Sequence, residues 1–515
     1  MLSGLLLTGA FPRTGLDGLA WFALVPLLWS LRDVSCKEGF RLGFIAGLVH
    51  YPGLVYWLVY TMQTYGGLPV YLSVPLLFLL AAYLALYPAF FSLLLILAAR
   101  KPFSLFCLMP AAWVALEYAR AHLLTGFPWE LMGYSQFQRL HLIQISDMTG
   151  VYGVSFFIAL VNAALFILVL HIRKADWQGE RPGKAITGAV LAIAMLCLCL
   201  CAVYGQMRIQ TLEELAETSP GIKTAAVQGN INQMVKWDPA FQEGSIRKYV
   251  DLSLSAKKNH PDLVVWPETA APFYFSHNIG LTRTVTEGVR QTRSWFLIGS
   301  PSHANREQGT EYYNSAYLIS PEGEIAGRFD KVHLVPFGEY VPLKKWLPFV
   351  KKIVAQVGDF KTGKQGDILS ADRFRLGVLI CYEIIFPELS AAAVRNGADL
   401  LANITNDAWY GNSSAPYQHF SMSVFRAVEN RRSLVRAANT GISGFVSPTG
   451  RILRTTALFR DAVVTERLSV INLKTFYTCH GDLFAILCLL TLVLHAAVFR
   501  IRRWNRFSGR SKAVH

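Results

Sequence analysis

Three short segments of the chain carry residue types that could work together in acyl transfer. Cys381 ends the apolar run of FRLGVLICYE, Glu268 follows the apolar run and proline of VVWPET, and Lys331 stands in FDKVHLVPFGEYVP. Acyl transfer needs a nucleophile, a base that removes its proton and a cation that stabilises the tetrahedral oxyanion. A cysteine thiol with a pKa of about 8.5 is mostly protonated at neutral pH, and a carboxylate base with a nearby ammonium makes its thiolate accessible.

Each of these residues also has an ordinary structural interpretation when it is taken alone. A lone cysteine at the end of an apolar strand is more often a small buried core residue than a nucleophile. Glu268 could be a solvated loop carboxylate or a helix N-cap partner. Lys331 could be a surface lysine whose stem lies along apolar surface. The functional hypothesis therefore depends on the combination of the three residues.

The segment of about 222–475, which contains all three residues, has the pattern of an α/β domain. Short runs rich in Val, Ile, Leu and aromatic residues end at turn residues. These runs are KTAAVQGNI, DLVVWPET, WFLIGSPS, YYNSAYLIS, FRLGVLICYE, DLLANITND and GFVSP. SPEGE and SPTGR are typical of hairpin turns, and helical patterns separate several of the runs. We therefore expect two mixed sheets whose continuous apolar strands are buried under flanking helices.

Composition places much of the remaining chain in a membrane. Hydrophobic residues make up 53% of the sequence and charged residues only 16%, whereas an ordinary soluble domain has about 25% charged residues. A hydrocarbon core of about 30 Å needs about 20 apolar residues per helix. The apolar runs predict about eight transmembrane helices, the first of them short, near 2–12, 16–31, 42–61, 71–99, 104–124, 149–171, 187–206 and 483–498.

The basic residues predict how the chain is oriented. A net charge of +15 could indicate nucleic acid as a partner, but Lys and Arg cluster beside apolar runs and in RIRRWNRFSGR, which fits anionic lipid headgroups better. The basic connections contain Arg32, Lys37 and Arg41, then Arg100 and Lys101, then Arg173, Lys174, Arg181 and Lys184. They alternate with TMQTYGGLP, which has no basic residue, so the α/β domain should lie outside the cytoplasm.

The expected division of the chain follows from these patterns. It consists of transmembrane helices in 1–210, a catalytic domain in 222–475, a last transmembrane helix in 480–500 and a basic cytoplasmic tail in 501–515. Within the membrane part, Glu117 and Arg120 are three residues apart on one helix face and are expected to pair. Trp129 and Tyr134, in LLTGFPWELMGYSQ, are expected to form a floor at the membrane interface.

WPET, DKVHLVPFGE and ICYE resemble the three motifs of the nitrilase, or carbon-nitrogen hydrolase, superfamily. That resemblance implies an αββα sandwich built around a Glu-Lys-Cys triad. With its membrane helices, the chain resembles the family of bacterial apolipoprotein N-acyltransferases over nearly its whole length. The features that carry this second resemblance are VQGNINQMVKWDP, TGFPW with GYSQ, HLVPFGEYVP, ICYEIIFPE, TNDAWYG and APYQHF.

The resemblance implies roles for individual residues. Glu268 would be the proton acceptor, Lys331 the cation that stabilises the oxyanion, and Cys381 the nucleophile. Glu339 and Glu383 would orient and tune Lys331 and the thiol. Four further residues are candidates for shaping the pocket or its lid, with core packing or turn formation as an equal alternative: Tyr382, Trp237, Asn406 and Trp409.

The resemblance also implies a two-step reaction at the bacterial inner membrane, with the catalytic domain on the periplasmic side. Cys381 would take an acyl chain from a phospholipid and release a lysophospholipid. The α-amine of an apolipoprotein's N-terminal S-diacylglyceryl cysteine would then attack the thioester. A thioester suits this exchange because it reacts with amines yet survives in a site that limits water. The expected protein is a monomer that needs no metal, cofactor or nucleic acid.

Two other functions share parts of this pattern. A membrane-anchored amidase-like hydrolase would use the same triad and pass the acyl group to water, but one anchor helix would suffice for it. A transporter with a decayed extracytoplasmic domain would give no reason for Glu268, Lys331 and Cys381 to occur together. The apolar runs also show no obvious internal repeat of the kind that many transporters have.

Overall fold

The computed structural model describes residues 1–275, 277–307, 309–340 and 360–511, with side chains up to residue 497. Its N-terminal part is helical. The α-helices there are α1 (Leu2–Gly9), α2 (Val25–Ser30), α3 (Cys36–Val55), α4 (Trp57–Thr64), α5 (Val70–Ala98), α6 (Pro102–His122), α7 (Leu140–Ile143), α8 (Ser146–Thr149), α9 (Val151–Ile172) and α10 (Lys184–Thr218). The side chains of the predicted tail, 501–515, lie outside the described part.

Among the described residues, four helices are long and apolar enough to cross a membrane, namely α5, α6, α9 and α10. Helices α3 and α4 meet at a bend of 53° and together would make a fifth span. The bend follows Pro52, which has no N–H to donate within the helix. Asp17–Ser30 and Leu483–Ala497 are shorter apolar segments. The predicted number of about eight spans therefore stays a prediction.

Helices α3 and α5 pack closely because α3 presents glycines to its neighbour. A Cβ on Gly43 would lie 2.2 Å from the carbonyl oxygen of Pro88, and one on Gly47 would lie 2.6 Å from Cα of Ala85. Small residues allow this backbone approach between membrane helices. At its N-terminus α3 begins with a capping box, in which Ser35 and Glu38 each accept from the other's backbone N–H.

Two six-stranded sheets follow the helical part. The first contains β1 (Gly221–Gln228), β2 (Leu263–Val265), β3 (Trp295–Arg306), β4 (Gly309–Ile319), β5 (Ile325–Asp330) and β12 (Ala462–Ser469). The second contains β6 (Ile368–Ser370), β7 (Arg375–Ile380), β8 (Leu400–Thr405), β9 (Leu434–Ala438), β10 (Gly444–Val446) and β11 (Ile452–Thr455). The strand orders are β12-β1-β2-β3-β4-β5 and β11-β10-β9-β8-β7-β6. Central strands are parallel and outer strands antiparallel, so both sheets are mixed as predicted.

The two sheets pack face to face, and helices cover their outer faces. Residues of both sheets share one core, among them Ile222 and Leu263 from the first and Val378 and Val435 from the second. The first sheet is covered by α11 (Pro239–Ala256) and α12 (Ile279–Thr292). The second is covered by α13 (Pro387–Arg395) and α14 (Ala415–Asn430), and the C-terminal helices are α15 (Phe476–His480) and α16 (Leu483–Ser511). The predicted αββα layering is confirmed.

Helix α14 lies between the second sheet and the membrane helices, so its polar side chains need partners on both sides. Gln418 accepts from the indole N–H of Trp129 at 2.9 Å, and Arg426 donates to the hydroxyl of Tyr134 at 2.8 Å. Trp129 and Tyr134 are fully buried. The α/β domain therefore covers both side chains and binds their polar atoms, and the prediction that they form an interfacial floor stays a prediction.

A cavity of about 40 Å³ lies among the N-terminal helices, and Glu117 and Arg120 line it. The structure shows no ion pair between these two described residues, which corrects the predicted pairing. Glu117 instead accepts from Trp113 Nε1 at 2.9 Å and from the Met132 amide at 2.7 Å. Arg120 lies 3.5 Å from the carbonyl oxygen of Glu130. Neutral donors therefore take the carboxylate that the arginine was expected to bind.

Candidate active site

Cys381 lies at a sharp bend between β7 and a short 3₁₀ helix, Cys381–Ile385. Its φ is +55°, in the left-handed region that a residue with a side chain rarely adopts. Such backbone strain costs about 1–3 kcal/mol and persists only where neighbours hold it. His419 Nε2 lies 3.1 Å from the Cys381 carbonyl oxygen, and Asn403 Nδ2 lies 3.5 Å from it. The predicted nucleophile therefore stands on a fixed strand-to-helix bend.

Lys331 follows β5 and is almost completely buried. Its Nζ lies 2.9 Å from the carboxylate of Glu339 and 3.7 Å from Oε1 of Glu268. Burial by itself would lower the pKa of the ammonium, but the carboxylates of Glu339 and Glu268 outweigh burial and raise the pKa. Lys331 therefore remains a cation at every pH at which the protein would work.

The carboxylate of Glu268 is held on both of its oxygens. Oε1 accepts from Asn314 Nδ2 at 2.8 Å, and Oε2 accepts from the backbone N–H of Asn406 at 3.0 Å. Asn314 Nδ2 also donates to Glu339 Oε1 at 2.8 Å, so one amide group fixes the two carboxylates on either side of Lys331. The sequence analysis did not single out Asn314. The available signal was a polar residue within the apolar run YYNSAYLIS.

The charges of Glu268 and Lys331 both act on the thiol of Cys381. Burial, and after it the carboxylate of Glu268, raise the pKa of the thiol, while Lys331 and the Thr405 hydroxyl lower it only in part. The thiol is therefore protonated at neutral pH. The sequence argument expected a readily accessible thiolate. A nucleophilic role for this thiol would require its proton to leave during the attack of the sulfur.

Glu383 and Tyr382, which follow Cys381, are both buried but have different surroundings. Glu383 accepts from the backbone amides of Val332 at 2.6 Å and Ile380 at 2.6 Å, and so ties the Lys331 segment to the strand that ends at Cys381. Burial raises the pKa of Glu383 to about 7 despite these donors. Tyr382 packs its ring edge-on against Phe386. Glu383 thus contacts the backbone next to Lys331 and the backbone next to Cys381.

The remaining predicted residues lie at different distances from the triad. Asn406 is buried, and its side chain donates to Gln233 at 2.6 Å while its backbone holds Glu268. Trp237 is 48% exposed and Trp409 is 37% exposed. The Trp409 ring packs against that of Tyr65 in the loop after α4, with centroids 4.7 Å apart. Asn406 therefore belongs to the site itself, whereas the two tryptophans lie on the partly exposed surface around it.

The sequence analysis did not identify a buried network of polar residues beneath Cys381, formed by His419, Asp407 and Arg436. His419 Nδ1 lies 3.0 Å from Asp407, and Arg436 donates to the other oxygen of Asp407 at 2.9 Å. Burial would raise the pKa of Asp407, but Arg436 and His419 outweigh it and lower the pKa to about 2. TNDAWYG and APYQHF contain Asp407 and His419, and Arg436 is a charge within an apolar strand. Those were the available signals, but no local pattern showed that the three residues meet.

Comparison with known proteins bears on the whole chain. Residues 3–164 match the apolipoprotein N-acyltransferase N-terminal domain, and residues 223–472 match the carbon-nitrogen hydrolase family. An apolipoprotein N-acyltransferase of Geobacter metallireducens is 46% identical over 97% of this chain and 94% of its own length. One of Methylococcus capsulatus is 32% identical over 94% of this chain and 92% of its own. This chain belongs to the apolipoprotein N-acyltransferase family.

Membership in the apolipoprotein N-acyltransferase family confirms the predicted class of enzyme. The protein is an acyltransferase of lipoprotein biosynthesis with a carbon-nitrogen hydrolase fold. Its apolar helices agree with a membrane protein. The transporter alternative is therefore excluded.

Proposed function

We propose that this acyltransferase moves an acyl chain from a phospholipid, through a thioester on Cys381, to the N-terminal α-amine of S-diacylglyceryl-cysteine apolipoproteins. The observation that carries the proposal is the buried convergence of Glu268, Lys331 and Cys381. Lys331 lies 3.7 Å from Glu268, and both charges act on the thiol. Nucleophile, base and cation are thus present in one site, in a chain whose helices can hold it at a lipid surface.

In the first step Glu268 accepts the thiol proton as the sulfur attacks the ester carbonyl carbon of the phospholipid. The negative charge that develops on the carbonyl oxygen is stabilised by the Lys331 ammonium, which Glu339 holds in place. The bond from the carbonyl carbon to the glycerol oxygen then breaks. The lysophospholipid leaves as an alcohol that takes the proton from Glu268, and the acyl chain remains on the sulfur as a thioester.

In the second step the α-amine of the apolipoprotein attacks the thioester carbonyl carbon. Glu268 accepts a proton from the attacking nitrogen, and Lys331 again stabilises the oxyanion. The bond from carbon to sulfur breaks, and the departing sulfur takes up the proton, which regenerates the thiol. The thiol's raised pKa makes this last proton transfer favourable.

The supporting residues have distinct roles in the same proposal. Asn406 holds the Glu268 carboxylate through its backbone N–H, and Glu383 holds the Lys331 segment against the strand of Cys381. Tyr382 packs behind the bend of the nucleophile. The half-exposed rings of Trp237 and Trp409 shape the opening or a lid through which lipid chains enter. Glu339 orients the Lys331 ammonium.

We place the enzyme in the bacterial inner membrane as a monomer with about eight spans and a periplasmic catalytic domain. Three apolar segments would join the candidate spans to give that number: α1, Asp17–Ser30 and Leu483–Ala497. The alternation of basic and non-basic connections supports this orientation. The same arrangement assigns 1–210 to the membrane helices, 222–475 to the catalytic domain, 480–500 to the last span and 501–515 to a cytoplasmic tail.

The thioester is the step to test. Purified protein is incubated with phospholipid and examined by intact mass for an acyl adduct that hydroxylamine removes. We expect the adduct on the natural chain and none on Cys381→Ala. An active protein without the adduct, or an adduct that persists in Cys381→Ala, would overturn the thioester mechanism.

The acceptor is tested on the acylated protein. A diacylated lipopeptide with a free N-terminal amine should discharge the adduct and gain its mass, whereas the same lipopeptide with an acetylated amine should not. Discharge to water at the same rate as to the lipopeptide would favour the membrane-anchored hydrolase.

A further inference from the structure

A second buried lysine lies beside the triad. Lys236 is in the loop between β1 and α11 and is 1% exposed, although its neighbour Trp237 is 48% exposed. Its Nζ donates to the backbone carbonyl oxygen of Glu268 at 3.1 Å and to Oγ1 of Thr269 at 2.6 Å. Neither of these acceptors is charged. The ammonium is therefore held directly behind the predicted base, on neutral oxygens.

Both acceptors belong to a strained bend. Thr269 has a φ of +48°, which is rare for a β-branched residue. Gly299 of β3 also lets the backbone of that strand come close to this bend. A Cβ there would lie 2.5 Å from the Thr269 amide nitrogen and 2.7 Å from Cα of Glu268. The bend that presents Glu268 is thus held by the backbone of β3 and by the ammonium of Lys236.

The surroundings of the Lys236 ammonium differ from those of the Lys331 ammonium. Among the described residues, carboxylates pair with Lys331 within 4 Å, and no such ion pair involves Lys236. Burial lowers the pKa of Lys236 to about 8, opposed by the charges of Glu268 and, when it is ionised, Cys381. Within the described part of the chain, those two are the titratable groups whose charges act on Lys236. The ammonium therefore prevails at neutral pH and is lost as the pH rises through about 8.

We propose that Lys236 is a positioning residue for acyl transfer, whose ammonium holds in place the bend that presents the Glu268 carboxylate. The proposal rests on the function proposed above, in which Glu268 accepts a proton in both steps. The charge of the ammonium strengthens its two hydrogen bonds to this bend, which fix the carboxylate in position for proton transfer. Loss of that charge should therefore slow proton transfer in either half-reaction.

The test measures thioester formation alone, because the second step adds the titration of the acceptor amine. Full-length protein in mixed micelles of phospholipid and detergent is assayed in single turnovers from pH 6 to pH 10. The natural chain should lose rate as the pH rises through about 8. Lys236→Met should form the thioester about 10–100-fold more slowly at pH 7, and its rate should show no fall near pH 8.

Two further variants keep the test decisive. Lys248→Met removes a lysine of α11 that pairs with Asp461 outside the site, and it should match the natural chain at every pH. If Lys236→Met does not fold, Thr269→Val, which removes one acceptor of the ammonium, should lower the rate while retaining the fall.

The outcomes separate this proposal from the function on which it rests. A natural chain that acylates but forms no thioester overturns the proposed function and, with it, the role of Lys236. A natural chain that forms the thioester, with the same rate and the same fall near pH 8 in Lys236→Met, overturns the role of Lys236 alone. If Lys236→Met does not fold, a Thr269→Val variant that forms the thioester at the full natural rate likewise overturns the role of Lys236.

Discussion

Two clusters of buried charge lie on opposite sides of the interface between the catalytic domain and the membrane helices. Each has one cation and two carboxylates. In the catalytic cluster, Lys331 lies between Glu268 and Glu339, and Asn314 links the two carboxylates. In the membrane cluster, Arg120 lies near Glu117 and Glu130 around a cavity of about 40 Å³. The same combination of one cation and two carboxylates thus has very different surroundings in the two clusters.

The difference lies in how their charged groups are satisfied, although Asn314 Oδ1 of the catalytic cluster also has no protein partner. Both oxygens of Glu268 and both of Glu339 accept from protein donors, as the bonds from Asn314, Asn406, Lys331 and Val335 show. In the membrane cluster, one oxygen each of Glu117 and Glu130 and one nitrogen of Arg120 have no protein partner. A cavity of this size can hold water. The catalytic cluster is therefore rigidly preorganised, and we expect solvent to complete the membrane cluster.

The largest effect is expected from Lys331→Met. It removes the cation proposed to stabilise the oxyanion and leaves Glu268 and Glu339 buried side by side. We expect thioester formation to fall by at least about 100–1,000-fold and the free energy of unfolding to fall by about 3–5 kcal/mol. Intact mass and denaturant unfolding measure the two effects. A variant that keeps a tenth of the natural rate would remove Lys331 from the mechanism.

Glu339→Gln should have the next effect. The amide keeps the shape of the side chain but removes the largest of the charges that raise the pKa of Lys331. A hydrogen bond to a charged group contributes about 1.5–3 kcal/mol, so the rate should fall about 10–100-fold. Single-turnover acylation measures this change. Glu243→Gln, which removes an exposed carboxylate paired with Arg247 in α11, is the matched control and should have the natural rate.

Arg120→Met tests the membrane cluster. Its loss leaves the carboxylates of Glu117 and Glu130 beside the cavity, where water can solvate them. We expect a destabilisation of about 1–3 kcal/mol, smaller than that of Lys331→Met, measured by thermal unfolding in the same detergent. A loss of stability equal to that of Lys331→Met would break the comparison between the two clusters.

The smallest effect concerns His333, beside the catalytic cluster. Burial, and then the charge of Lys331, lower the pKa of His333 to about 4. Between that value and its ordinary pKa of about 6.5, the unfolded chain binds a proton that the folded chain does not. Stability should therefore fall as the pH falls from about 6.5 to 4. His333→Gln should remove about 1 kcal/mol of this dependence, since the side chain is partly exposed. Unfolding curves that keep the natural slope in this range would contradict the assignment.

Local patterns predicted a large part of the fold and of the site. Continuous apolar runs that end at turn residues predicted the buried strands, because a strand covered on both faces needs apolar residues at every position. Pro387 at the first position of α13 marked the helix after Cys381. The residue types of Glu268, Lys331 and Cys381 are those that acyl transfer requires, and the structure brings them together. The number of membrane spans was harder to predict, since α1 and the segments at 17–30 and 483–497 are too short for their length alone to show whether they cross the membrane.

The sequence by itself determined the chemistry that this protein can perform, because a nucleophile, a base and a cation are properties of residue types in recognisable segments. The tertiary structure alone decided how that chemistry is held. Asn314 bridges two carboxylates, Lys236 lies behind Glu268, and His419 contacts the carbonyl of Cys381. These contacts join segments 25 to 46 residues apart, and the hydrogen bond from Trp129 to Gln418 joins segments 289 apart. A buried polar atom takes whichever partner the packing of distant elements brings to it, and no local pattern records that choice.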